Sequence, residues 1–263
     1  MADPNSLVVH VFNSTLVSGP ETLVLPNLKG AFLNVEVLLL QETRGTAGAQ
    51  TVYAYAQSFG HRVSEILVKS RMDFAAIFSL TKFIKIRRPE LLHSHGPKAG
   101  FYVSVALLWL KVTDLFLKKE FSGKSPCQWR HMTTHHGVRA NDGLPMLKVF
   151  EWVYEHLVFP CVEKVLTVCT SDRELLKSRG CDGQKIFVHL NGTDRPKLTF
   201  NDRALLRDKF RAEWSLSDSD LIYAVVARFA IEKRHRDLIA ALLLLREKNE
   251  AVFTQIKIVF YGS

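Results

Sequence analysis

YAVVARFAIEKRHRDLIAA, Tyr223–Ala241, decides how the rest of the chain is read. The apolar run Ile222–Ala227 reads as a buried strand that ends at Arg228. A short loop follows, and an apolar-periodic helix then opens through Glu232, Lys233, Arg234, His235 and Arg236. The first turn of a helix carries partial positive charge and favours Asp or Glu. Here basic side chains crowd that turn, with Glu232 as the opposing acid. A bound anion would make such a start favourable, because a strand–loop–helix junction is a natural phosphate seat. The sequence ends soon afterwards at Tyr261-Gly262-Ser263, so the expected anion site belongs to a domain of which only the start is present.

Upstream, strand-like and helix-like segments alternate. Leu7–Phe12, Val35–Leu40, Arg62–Val68, Leu91–Ser94, Trp129–Thr134, Lys164–Cys169 and Ile186–Leu190 read as strands. Phe74–Arg87, a helix opened by Pro97 and reaching about Lys119, Met146–Phe159 and Asp172–Arg179 read as helices. Ser171 is placed as an N-cap with Glu174 as its capping-box partner, and Gly180 as the residue after the helix. Such alternation implies an α/β fold with parallel strands and helices on both faces. The segment 196–220, with Pro196, a charged helix at Asn201–Glu213 and the polar run SLSDSD, breaks the rhythm. The expected organisation is a first domain over 1–195, a linker over 196–220 and an incomplete second domain over 221–263.

The chain has 263 residues, 47% of them hydrophobic and 23% charged, as in ordinary globular proteins. A net charge of +9 suits anionic small molecules, an acidic membrane surface or nucleic acid. Nucleic acid is the weakest of these, because the basic residues are scattered and not interleaved with aromatics. Cys127, Cys161, Cys169 and Cys181 form no C-x-x-C pair and read as reduced thiols. The start MADPNS has no basic region followed by an apolar one. The apolar run Phe101–Leu110 stops at Lys111, well short of the roughly twenty residues that span a bilayer. The expected location is cytoplasmic, with peripheral membrane contact left open by the basic end of the helix over 100–119.

Ligands of open α/β sheets collect at the carboxyl ends of strands. Ser18-Gly19-Pro20-Glu21 follows the first strand, and Gly19 allows close backbone approach to a ligand. His93-Ser94-His95-Gly96-Pro97-Lys98 ends another strand, and alternation puts His93 and His95 on one side of it. His135-His136-Gly137 ends a third. The histidines read in three ways: as ligands of a metal ion, as groups that hydrogen-bond within the fold, or as contacts to a polar, anionic ligand. Lys98 argues against a cation. Arg228 offers a rigid fork to a diphosphate and Lys233 a mobile charge.

In this order the motifs resemble the retaining, nucleotide-sugar-dependent glycosyltransferases of the GT-B fold, family four. SGPE at 18–21 is similar to the family's glycine loop, with Pro20 in place of its second glycine. HSHGPKAG at 93–100, TTHHG at 133–137 and KIFVHLNGTD at 185–194 follow the family's strand ends. VARFAIEKRHRDLIAAL at 226–242 is similar to its donor-domain motif, with Ala227 at the leading glycine and Arg234 after Lys233. The resemblance implies two Rossmann-like domains and a nucleoside-diphosphate-sugar donor. It puts His136 at the reacting sugar, Gly19, Arg228 and Lys233 at the donor, and His93, His95, Lys98 and Asn191 at substrate-positioning places. It also implies retention without a protein nucleophile, no cofactor and no metal. The acceptor is left open, with a lipid-linked one suggested by the basic helix, in surface polysaccharide or glycolipid synthesis. The family's two donor-gripping glutamates lie beyond Gly262, so weak or no activity is expected of the chain as given. The other readings are a metal-dependent hydrolase built on His93, His95, His135 and His136, and a non-catalytic binding module.

Overall fold

The computed structural model describes residues 6–28, 34–42, 51–70, 72–117, 129–137, 152–192, 196–227, 229 and 231–262. The chain divides into two units, Met1–Thr193 and Asp194–Ser263.

The first unit is built on a parallel sheet. Its strands are β1 (Leu7–Phe12), β2 (Asn34–Glu42), β3 (Arg62–Val68), β4 (Leu91–His95), β5 (Arg130–His135), β6 (Lys164–Thr167) and β7 (Ile186–Val188). Among the described residues they form a seven-stranded sheet in the order β3-β2-β1-β4-β5-β6-β7. The order reverses between β1 and β4, as in doubly wound nucleotide-binding folds, and a crevice opens at such a reversal. Helices α1 (Gly19–Leu28), α2 (Val52–Ser58), α3 (Phe74–Arg87), α4 (Pro97–Leu117) and α5 (Thr170–Ser178) make the connections.

The sheet is covered on both faces, which is why β2 has five consecutive buried residues rather than alternating burial. On one face Val9, Val11, Leu38, Leu40 and Leu92 pack with Ile77, Leu80 and Ile84 of α3 and with Tyr102, Ala106 and Leu110 of α4. On the other, Phe12, Val37 and Leu39 pack with Leu25 of α1 and with Val52 and Ala56 of α2. Asp73 caps α3, accepting from Ala76 N at 3.2 Å and from Lys69 N at 2.8 Å, and these donors hold its carboxyl below the ordinary value. Glu36 is buried in β2, where it pairs with Arg87 and accepts from Ser64 Oγ at 2.7 Å.

Two local expectations change. Helix α5 starts at Thr170 with Cys169 as N-cap and no side-chain cap bond, so Ser171 is not the cap. Glu174 reaches forward to Lys177 at 3.0 Å instead of back along the chain. The expected helix over Met146–Phe159 lies outside the described residues as far as 151. Its end is a π turn, Tyr154–Val158, followed by a 3-10 turn, Phe159–Cys161.

The second unit contains α6 (Phe200–Glu213), β8 (Leu221–Val226), α7 (His235–Lys248), α8 (Glu250–Gln255) and β9 (Ile256–Tyr261), with β8 and β9 parallel. A capping box between Thr199 and Asp202 starts α6. The polar segment before β8 is held in place by Asp220, which accepts from Ser217 N at 2.6 Å and pairs with Lys257 at 3.2 Å. The helix after β8 opens later than expected. Ile231–Lys233 is a 3-10 turn, Arg234 takes a left-handed conformation (φ 54°), and α7 begins at His235. Its first turn therefore contains Asp237, which faces Arg234 at 3.5 Å. The acid that seemed to be missing from this helix start is Asp237.

Candidate active site

The carboxyl ends of β1, β4 and β5 lie side by side at the strand-order reversal. In the parallel register His10 pairs with His93, Phe12 with His95, and His95 with Thr134. Paired positions share a face, so His10, His93 and His95 lie together on the α1/α2 side of the sheet. The His10 and His95 rings are nearly parallel, with His10 Nδ1 3.0 Å from His95 Nε2. Phe12 stacks on His95 with ring centroids 4.2 Å apart. His93 Nε2 contacts Thr134 Oγ1 at 2.7 Å. His95 Nδ1 lies 3.2 Å from Nε2 of His136, just past β5. Three imidazoles thus form a chain from inside the sheet, through His95, to the half-buried His136.

The chain ends in an unmatched group. His136 Nδ1 is buried and has no hydrogen-bond partner among the described residues. Buried polar atoms are nearly always paired, so a polar ligand, a water or a group outside the described residues is expected at this nitrogen. Each neutral imidazole has one N–H. If His10 donates from Nδ1 to His95 and His95 donates from Nδ1 to His136, the His136 proton is left on Nδ1, away from His95. In the reverse chain His136 Nδ1 is an acceptor. Burial keeps these rings neutral. It lowers the pKa of His10 to about 4, takes those of His93 and His95 well below the ordinary value, and lowers that of His136, which Glu21 pulls back upward.

Glu21 also shapes the neighbouring loop. Its buried carboxylate accepts from Ser14 Oγ, from Ser18 N at 2.9 Å and from Ser18 Oγ at 2.6 Å. This ties the turn after β1 to the start of α1. Gly19 is the first residue of α1, and a Cβ there would meet nothing within 4 Å, so the space beside it is open. Gly96 and Gly137, at the ends of β4 and just beyond His136, have φ of +88° and +113°, which L side chains rarely adopt. Gly96 N donates to Thr134 O at 2.8 Å, joining the two strand ends.

The expected histidine quartet does not assemble. His135 lies on the opposite face, where its Nε2 contacts Tyr154 Oη at 3.2 Å. Alternation along β5 turns His135 away from the side that carries His95. In its place stands His10, which sequence reading missed. Its signal was a lone polar residue inside the apolar run LVVHVF. Among the described residues, His10, His93 and His95 have ligand atoms within 4.8 Å of one another and could hold a metal ion. His10 and His95 already bond each other there, and His93 bonds Thr134.

The remaining candidates are spread out. Lys98 forms an ion pair with Glu42 at the end of β2, which directs its charge away from the histidines. Asn191 is exposed beyond β7, three strands from β4 and hence about 14 Å across the sheet. Lys233 is exposed at the end of the 3-10 turn after β8 in the second unit. Arg228 lies outside the described residues.

Residues 25–192 match the family model described as "Glycosyl transferase 4-like domain". The match spans more than half of the chain, and the chain belongs to this family. HepE from Anabaena, solved in complex with UDP, is similar with a TM-score of 0.68 at 12% identity, over 97% of this chain and 69% of HepE. The apo form of the lipopolysaccharide outer core galactosyltransferase WaaB has a TM-score of 0.60 at 12% identity, over 98% of this chain and 68% of WaaB. The UDP-GlcNAc 2-epimerase of Neisseria meningitidis, bound to UDP-GlcNAc, has a TM-score of 0.51 at 14% identity, over 97% and 65%. At these identities the likeness is one of fold: α/β, with Rossmann-like parallel sheets of the GT-B type. No curated protein matches the sequence.

Proposed function

We propose that the chain takes part in moving a sugar from a nucleoside-diphosphate sugar to an acceptor, with retention of the anomeric configuration, in the synthesis of a surface polysaccharide or glycolipid. The observation that carries this is the family match, which runs across the strand ends bearing His93, His95 and His136. The UDP bound by HepE supports a nucleotide donor.

Each unit contributes separately. In the first, His136 presents its unpaired Nδ1 to a hydroxyl of the sugar or an oxygen of the phosphate. His95 and His10 fix the ring, and Gly19 leaves room for the ligand. In the second, Lys233, with Arg228 from the sequence motif, balances the charge that grows on the departing diphosphate. The bond from the anomeric carbon to the diphosphate oxygen breaks, and the acceptor oxygen bonds that carbon on the same face. The acceptor proton passes to the leaving diphosphate. Neither a protein nucleophile nor a metal is required. Lys98 and Asn191 are assigned to acceptor contacts.

The test is incubation of the full chain with a panel of nucleoside-diphosphate sugars and a lipid-linked acceptor preparation. Glycosylated acceptor with matching nucleoside diphosphate is expected, at a weak rate for the chain as given. Conversion of the donor to its C2 epimer, with no transfer, would replace this reading with an epimerase.

A further inference from the structure

Helices α3 and α4 bury their core faces fully and still leave an apolar ridge on the outside. On α3, Phe74 is 66% exposed and Phe78 is 54% exposed. On α4, Leu108, Trp109 and Val112 are 53%, 45% and 40% exposed. The two helices meet on this outer side, where Phe78 and Trp109 pack edge to face with centroids 5.2 Å apart. The ridge is therefore continuous. It lies apart from the histidine site, on the opposite side of the sheet.

The exposed charges on the two helices beside it, Lys82, Lys85 and Lys111, are basic. Phe74, Phe78, Lys82 and Lys85 follow helical spacing on α3, so the aromatic stripe runs directly into two exposed lysines. Lys111 is exposed on α4, one turn on from Leu108. The sequence of α3, FAAIFSLTKFIKIR, contains no acidic residue, and none occurs on α4 before residue 114. Trp and Phe flanked by Lys form the side-chain set that settles at the headgroup level of a bilayer. Exposed aromatics in a continuous patch mark an interaction surface. Among the described residues no helix is long and apolar enough to cross a membrane, so contact here would be peripheral.

We infer that the α3/α4 ridge docks the chain on an anionic bilayer, with Phe74, Phe78 and Trp109 in the headgroup layer and Lys82, Lys85 and Lys111 against anionic lipid. This moves the expected membrane contact from the end of α4, where Lys118 and Lys119 lie outside the described residues, to the joint face of two helices. It deepens the transferase proposal in that a lipid-linked acceptor would sit in the same bilayer, and rests on that proposal for this purpose alone.

The experiment is co-sedimentation of the full chain with phosphatidylcholine vesicles, with and without phosphatidylglycerol, in the absence of donor and acceptor. Binding to the anionic vesicles alone is expected, together with weakening by salt and a blue shift in tryptophan emission. The triple variant Lys82→Glu, Lys85→Glu, Lys111→Glu should lose about a hundredfold in partitioning, and Trp109→Ala should bind less while keeping the wild-type circular dichroism. Folded wild-type protein that ignores anionic vesicles, or binds both kinds equally, overturns the inference. So does a ridge that instead drives self-association, seen as a dimer abolished by Trp109→Ala. Sugar transfer to a soluble acceptor with no vesicle binding would leave the transferase proposal standing and remove this one.

Discussion

His95 Nδ1 and His136 Nε2 lie 3.2 Å apart, and the other nitrogen of His136 is buried without a partner among the described residues. One side of the ring is thus held by the protein, and in the proposed function the other meets the ligand. Replacing His136 by Ala should lower kcat by a factor of about 10²–10³, the range for losing one preorganised contact in a transition state. The fold should be unaffected, because His136 is outside the hydrophobic clusters. Steady-state kinetics beside a thermal melt separate the two effects.

In the proposed function His95 acts through His136, which it contacts at 3.2 Å, so its variants should behave differently. His95→Gln keeps a polar group near both neighbours and should lower kcat by roughly tenfold with KM little changed. The acid limb of the pH–rate profile should shift, because His136 loses the neighbour that fixes its tautomer. A rise in KM alone, with no change in the profile, would make His95 a simple packing residue.

Lys233 should matter for the donor rather than for stability, since it is exposed in the 3-10 turn. Lys233→Ala is expected to weaken UDP binding by about tenfold, the loss of one charge-assisted contact, with an unchanged melting temperature. Calorimetric titration with UDP reads the first and differential scanning the second.

Acid should destabilise the first unit. Burial lowers the pKa of His10 and His135 to about 4 and that of His131 to about 3. The ordinary value is 6.5, so between pH 6.5 and about 4 the unfolded chain takes up protons that the folded chain refuses. Stability therefore falls as pH drops through that window and levels off above it. A melting temperature lower by more than about 5 °C at pH 5 than at pH 7 is expected. His131→Asn should flatten the dependence.

Transfer should survive chelation, because the proposed chemistry uses no metal. Activity lost on treatment with EDTA and restored by stoichiometric zinc would shift attention to His10, His93 and His95, which among the described residues could hold an ion.

Most of the sheet was legible because parallel strands buried on both faces read as apolar runs, as in VEVLLL of β2 and LVVHVF of β1. What escaped was set by long-range pairing. His10 joins the site through a register with His93, 83 positions further on, which no local pattern reveals. Lys98 sits next to the histidines in sequence but is drawn off by Glu42 from a different strand. His135 and His136 are neighbours in sequence and face opposite sides of the sheet. The cap of α5 moved by two residues, from Ser171 to Cys169, whose side chain makes no cap bond.

The most direct measurement follows the full chain by NMR with a nucleoside-diphosphate sugar and a lipid-linked acceptor. The account predicts nucleoside diphosphate and glycosylated acceptor appearing in equal amounts, with the donor's anomeric configuration kept in the product and with the rate collapsing in His136→Ala. Transfer with the anomeric configuration inverted, or turnover that His136→Ala does not change, would contradict it.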